Sequence, residues 1–187
     1  LEGKDEFKSY LSTINRQIKD IENLVNEFSS FARMPSPIFR KIEIDLVVRR
    51  AVDFYKMSSE NKINLTLKNK NNFINGDAEQ LYRVFINLIK NSEDSIFEKK
   101  EKNEHFIGKI NIEIDANKDY INLTLLDNGT GIRDTSKIMT PYFTTKKDGT
   151  GLGLPIVSKI INEHNGEITI SNINPGVKVL IVLPKII

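Results

Sequence analysis

Cysteine and tryptophan are both missing from this sequence of 187 residues, and histidine occurs only twice. Without cysteine there are no disulfides and no thiolate metal sites. His105 and His164 have no partner at metal-ligand spacing. No apolar run approaches the roughly 18 residues needed to cross a bilayer. Charge of one sign is lacking too: 27 basic residues against 25 acidic ones leave a formal +2. The run Glu98-Lys99-Lys100-Glu101-Lys102 mixes both signs, so no basic face suggests a nucleic-acid partner. The phosphate-binding pattern GxxxxGK[ST] and the dinucleotide fingerprint GxGxxG are absent as well. What remains is a globular composition, with 39% hydrophobic and 28% charged residues.

Residues 5–32 contain neither Gly nor Pro, and Phe7, Leu11, Ile14, Ile18, Ile21, Val25, Phe28 and Ala32 recur at alternating steps of four and three. That spacing is an a/d seam of about four heptads, the mark of a coiled-coil-like helix that packs on other helices. A helix lying on its own domain is the alternative, although its apolar stripe is normally wider. Pro35 and Pro37 predict an end near Met34, with 35–40 as a linker. Beyond it, strands are expected at 41–44, 62–68 and 72–75, and a helix capped by Asp45 through about residue 58. A long helix should run from Asp77 to about Phe97, with Asp77 and Gln80 as a capping box. Residues 109–116 and 120–126 alternate as a hairpin around Asn117-Lys118-Asp119. A helix at 154–164, a turn at Asn165-Gly166, and strands at 167–171 and 177–183 complete the chain. Hairpins with helices grouped between them predict a two-layer α/β sandwich with one mixed sheet.

Three segments carry chemistry. In Asn87-Leu88-Ile89-Lys90-Asn91, two asparagines lie at i and i+4, on one helix face. They are either solvent-facing surface or two carbonyl oxygens aimed at a hydrated Mg²⁺. Asp127-Asn128-Gly129-Thr130-Gly131 follows a strand directly; it describes an ordinary turn, or a carboxylate that accepts from an adenine amino group beside backbone freed by glycine. Gly149-Thr150-Gly151-Leu152-Gly153 enters a helix, either as a hinge or as a loop offering N–H groups and a helix N-terminus to phosphates.

Taken in order with Pro141-Tyr142-Phe143-Thr144-Thr145-Lys146, these segments resemble the N, G1, F and G2 boxes of the histidine kinase-type ATPases, whose Bergerat fold is shared with gyrase, Hsp90 and MutL. The resemblance covers about residues 41–187. Asn26-Glu27-Phe28-Ser29-Ser30-Phe31-Ala32-Arg33-Met34-Pro35 is similar to the second helix of the dimerisation hairpin in NtrY-type nitrogen-regulation sensor kinases. The resemblance thus implies residues 1–34 as part of that hairpin and 41–187 as an ATP-binding catalytic domain. It implies Asn91 and Asn87 at Mg²⁺, with Asn87 and Lys146 serving the transfer itself. Asp127 would read adenine, with Gly129 and Gly131 shaping the pocket. Tyr142, Thr145 and Lys146 on one side and Gly149, Thr150, Gly151, Leu152 and Gly153 on the other would bracket a lid over ATP; Lys146 or Lys147 would meet the γ-phosphate. A homodimer through the 5–32 helix and a response-regulator receiver domain are the implied partners. The domain would be cytoplasmic, with the parent protein held in the bacterial inner membrane by a part outside these residues.

Two departures qualify that picture. Neither histidine has the acidic neighbour and heptad context of a phosphoacceptor, so the first hairpin helix is expected upstream of Leu1. Gly176-Val177-Lys178-Val179 stands where the family commonly has Gly-Thr-x-Phe, which removes a hydroxyl from the adenine side. Two rivals remain open: an ATP-hydrolysing clamp of the gyrase or MutL kind, and a non-enzymatic dimeric nucleotide sensor. The clamp requires a water-activating glutamate four residues before Asn91, where this chain has Asn87.

Overall fold

In a computed structural model of the chain, residues 2–32, 34–144, 146 and 149–186 are described. A first helix, α1 (Glu2–Ala32), is followed by β1 (Arg40–Glu43), α2 (Ile44–Lys56), β2 (Lys62–Leu67), β3 (Phe73–Gly76) and the long α3 (Ala78–Lys100). The hairpin β4 (Lys109–Ala116) and β5 (Tyr120–Asp127) comes next, then α4 (Gly153–Glu163), β6 (Glu167–Asn172) and β7 (Val177–Pro184).

Five strands form one mixed sheet in the order β2-β4-β5-β7-β6, parallel only between β2 and β4. The expected α/β sandwich with a mixed sheet is present, and β1 and β3 pair with each other outside it in a two-stranded sheet. Each has only four residues and is followed at once by a helix, and β3 touches the main sheet near the end of β7, where the Ile186 N–H donates to the Phe73 carbonyl at 2.9 Å. The three later helices share one layer, α2 against β2, α3 in the middle and α4 against β6. Period-2 alternation turns Ile110, Ile112 and Ile114, Ile121, Leu123 and Leu125, and Val179, Ile181 and Leu183 toward that layer. They meet Leu81, Val84, Phe85, Leu88 and Ile89 of α3, whose 3.6-residue period makes one apolar face.

The described part of the α1 seam does not lie on this body. Its residues Phe7, Leu11, Ile14, Ile18, Ile21 and Val25 are 44% to 62% exposed; Phe28 and Ala32 fall outside the described side chains. The segment after α1 is tied to α3, where the Ile38 N–H donates to Asp77 Oδ2 at 2.8 Å and Gln80 Nε2 donates to the Pro35 carbonyl at 2.9 Å. No helix among the described residues is long and apolar enough to cross a membrane.

Two expected caps differ in detail. Asp77 does cap α3, accepting from the N–H groups of Glu79 and Gln80. The reciprocal half of the capping box is absent, because Gln80 reaches Pro35 and the Asp77 N–H donates instead to His164 Nε2 at 2.9 Å. Asp45 does not cap α2. That helix starts after Glu43, and Asp45 is buried in its first turn, accepting twice from Asn72 Nδ2. The Asn72 carbonyl accepts from the Ile44 N–H, so tertiary contact sets the start of this helix.

Burial raises the Asp77 carboxyl, but the N–H groups of Ile38, Gln80 and Glu79 outweigh it and hold the group below its ordinary 3.8. Stability from this group is therefore full above pH 3.8 and lost as pH falls through the lowered folded value. Asp77→Ala is expected to destabilise the chain by about 1–2 kcal/mol at neutral pH. Urea unfolding of both proteins across pH checks this: the gap should shrink in acid, and a gap independent of pH would contradict the ionised cap.

Candidate nucleotide site

Asp127 ends β5 on the inward-facing register of Ile121, Leu123 and Leu125, so alternation carries a carboxylate to the core side of the sheet. It is 5% exposed. Its Oδ1 accepts from the N–H groups of Gly129 at 2.9 Å and Val177 at 3.3 Å, and its Oδ2 accepts from the Ser92 hydroxyl at 3.1 Å. Burial pushes the carboxyl above its ordinary value, and these donors together with Lys99 draw it back only in part. Gly176, at φ +95°, lies flat against Asp127; a Cβ there would stand 2.0 Å from the Asp127 carbonyl oxygen.

The loop after Asp127 is held by α3. Thr130 N–H donates to Ser95 Oγ at 2.9 Å, and Lys99 Nζ donates to the carbonyls of Asn128 and Gly129. Gly129 passes so close to Ser95 that a Cβ would meet its hydroxyl at 2.3 Å. Gly131 sits at φ +81° near Asn172, which bonds the backbone of Ile132 in both directions.

Asn87 and Asn91 project from a neighbouring face of the same helix, both half-buried. Asn87 Nδ2 donates to its own helix at the Arg83 carbonyl, and Asn87 Oδ1 lies 3.6 Å from where a Gly153 side chain would begin. Gly153 opens α4 beside Asn87, and its N-cap residue Leu152 gives no side-chain hydrogen bond, which leaves first-turn N–H groups available to a ligand. Asn91 Oδ1 accepts from the Lys146 ammonium at 2.9 Å, and that ammonium also pairs with Asp94 Oδ2 at 2.7 Å.

The ends of the loop between Asp127 and α4 meet each other. Tyr142, in the left-handed region at φ 67°, donates its N–H to the Gly151 carbonyl at 3.1 Å. Gly151 itself has φ +70°, and any Cβ would strike the Tyr142 carbonyl carbon at 2.5 Å. Gly149 packs on Thr144 and Lys146, and Thr150 Oγ1 faces the N–H of Leu152, which is fully buried. Thr145 and Lys147 lie outside the described residues.

The structure thus bonds Asn91 to Lys146 and sets Asn87 beside Gly153, while Tyr142 bonds Gly151 within the loop that leads to α4. Sequence reasoning missed Ser92, Asp94, Ser95 and Lys99. The available signal was spacing: 92, 95 and 99 share one helix face, as do 87, 91 and 94. Ser92 brings a hydroxyl to the Asp127 carboxylate from α3, while Val177 offers that carboxylate only its backbone N–H.

A buried carboxylate beside a glycine turn, asparagines along the central helix and a glycine-rich entry to α4 define the α/β sandwich of an ATP-binding domain. Residues 76–187 match the histidine kinase-, DNA gyrase B- and HSP90-like ATPases, and the chain belongs to that family. It is 39% identical over 175 residues to an NtrY-like sensor histidine kinase of Rickettsia felis, a match covering 92% of this chain and 28% of the relative. The catalytic domain of the histidine kinase ThkA has the same fold, with a TM-score of 0.68 at 26% identity over 79% of this chain and 98% of that domain. ThkA solved in complex with the response regulator TrrA aligns with 96% of this chain and 52% of that one, at a TM-score of 0.75 and 22% identity.

Ser92→Ala removes the one side-chain hydroxyl on Asp127, so the carboxyl should rise further. A raised folded value means stability present in acid and lost as pH rises through it. The variant should therefore lose about 1–2 kcal/mol at neutral pH and less in acid. Carboxyl-carbon NMR of Asp127 checks the shift; an unchanged titration would show that the hydroxyl does not support the carboxylate.

Proposed function

We propose that this domain positions Mg-ATP so that the γ-phosphoryl group passes to a histidine supplied from outside these 187 residues, as the catalytic part of a two-component sensor histidine kinase. The observation that carries the reading is the layout along α3. A buried carboxylate lies at one side, and oxygen donors, a lysine and a helix N-terminus lie at the other, suited to the base and the phosphates of one nucleotide. Adenine N6 would donate to Asp127, with Gly129 and Gly131 beside the base. Tyr142, Thr145, Lys146 and the Gly149-Thr150-Gly151-Leu152-Gly153 run would cover the triphosphate.

Mg²⁺ fits the donor set, because Asn91 Oδ1 already faces a cation in the Lys146 ammonium. Asn91 and Asn87 would hold the ion, which when bound would neutralise phosphate charge. In the transfer, an imidazole nitrogen forms a bond to the γ-phosphorus as the bond to the bridging oxygen breaks and ADP leaves. The domain's share is positioning and charge stabilisation.

Neither histidine of the chain suits the acceptor role. His164 is 3% exposed, with Nδ1 on the Ile160 carbonyl and Nε2 on the Asp77 N–H. His105 stands exposed in the turn after α3. The exposed heptad seam of α1 supports reading residues 1–34 as half of a dimerisation hairpin, 35–40 as a linker and 41–187 as the catalytic domain. A homodimer through α1 and a response-regulator receiver follow as partners, with the parent anchored in the inner membrane and this part in the cytoplasm. A clamp-type ATPase fits less well. Asn87 occupies the position of the base, Glu79 pairs with Arg50, and Glu93 is held by Ser59 and Asn61.

Asp127→Ala removes a hydrogen bond to a charged group, worth roughly 1.5–3 kcal/mol, so ATP affinity should fall about 10- to 150-fold. Calorimetry with ATP and GTP reads it; equal binding of the two nucleotides by the parent chain would end the adenine assignment.

The chain alone should bind ATP without labelling itself from γ-labelled ATP. A separate fragment bearing the first hairpin helix of an NtrY-type kinase should take up acid-labile label. Ile18→Asp places a charge in the seam, a costly burial, and should stop that labelling while ATP binding persists. Label on His164, or steady hydrolysis without an acceptor, would contradict the reading.

A further inference from the structure

Asn91 and Asp94 lie three residues apart on α3, so their side chains leave the helix on one face. Between their oxygens stands the Lys146 ammonium, 2.9 Å from Asn91 Oδ1 and 2.7 Å from Asp94 Oδ2. The proposed function uses Asn91 for the metal and Lys146 for the phosphates, and it leaves Asp94 without a part. A carboxylate beside a triphosphate repels it unless a cation stands between them. One neutral and one anionic oxygen are also the kind of protein donors that Mg²⁺ takes alongside phosphate oxygens and water.

We infer that Asp94 is a second metal-holding residue, and that the Asn91–Asp94 oxygen pair is a cation seat occupied in turn by Lys146 and by Mg²⁺. The inference rests on the proposed assignment of Asn91 to the metal. A divalent ion interacts with the Asp94 carboxylate more strongly than an ammonium does at equal distance, and it brings phosphate ligands with it. Its arrival displaces Lys146, whose freed ammonium then faces the phosphates. The exchange forms and breaks no covalent bond, and the carboxylate is neutralised before and after it. Lys146 belongs to the loop closed by the Tyr142–Gly151 hydrogen bond, and its side chain ties that loop to α3. Metal binding therefore releases the tie between Lys146 and α3.

ADP is the probe, since it lacks the γ-phosphate assigned to Lys146. Calorimetric titration of ADP into the full chain, with EDTA and with Mg²⁺, gives a ratio of two dissociation constants, the metal gain. Asp94→Asn keeps the shape and removes the charge. It is expected to weaken ADP binding in Mg²⁺ itself about 10-fold and so cut the metal gain, while a circular dichroism spectrum identical to the parent's shows that the fold is intact. Lys146→Met removes the competing ammonium and should increase the gain. If Asn91→Ala abolishes the gain but Asp94→Asn leaves it intact, Asp94 is only an ion-pair partner of Lys146 and the inference fails. A gain lowered by Lys146→Met would overturn the exchange. A gain untouched even by Asn91→Ala would remove the metal assignment itself, and the inference with it.

Discussion

Everything at the site depends on how α3 is seated on the sheet. Leu81, Val84, Phe85, Leu88, Ile89 and Ile96 bury one face of this helix against the inward residues of β4, β5 and β7. With that face fixed, the 3.6-residue period leaves no freedom for the others. Ser92, Ser95 and Lys99 must face the loop after Asp127, and Asn87, Asn91 and Asp94 must face α4 and Lys146. A shift of one residue in the packing of α3 would rotate both sets by about 100° and dismantle both ends of the site together. The cap at Asp77 matters for the same reason, since it anchors the start of the helix to the segment arriving from α1 and, through His164, to the end of α4.

The site joins two opposite uses of burial. Asp127 is taken out of water, raised by that burial, and kept usable by N–H and hydroxyl donors from three separate elements. Asn91, Asp94 and Lys146 remain partly open, where charge can be exchanged with a ligand at lower desolvation cost. The rigid end suits recognition of a base and the open end suits a charged group that must come and go. Ser92 supplies a hydroxyl to this carboxylate from α3.

The first helix obeys a different logic. Its heptad seam is apolar, yet the described seam residues are exposed to solvent. Among the described residues, that stripe has no mate on the chain's own sandwich. The proposed dimerisation hairpin would give that stripe its mate.

By itself the sequence determined whatever depends on neighbours a few residues apart. The heptad spacing specified α1, period-2 alternation specified β4, β5 and β7, and Asp77 marked the start of α3. The order of asparagines, Asp-x-Gly-x-Gly and Gly-x-Gly-x-Gly was enough for the family. Local spacing was not enough to say that β1 and β3 leave the main sheet, that Asp45 turns inward to Asn72, or that Gln80 prefers Pro35 to its own helix. Nor did it say that Lys146 pairs with Asn91 and Asp94, or that Ser92 supports Asp127. Those contacts join residues 27 to 55 positions apart in the chain. They are settled only when helices and sheet pack, because a side chain's partner at such a distance is chosen by the geometry of the whole core, and no local period encodes it.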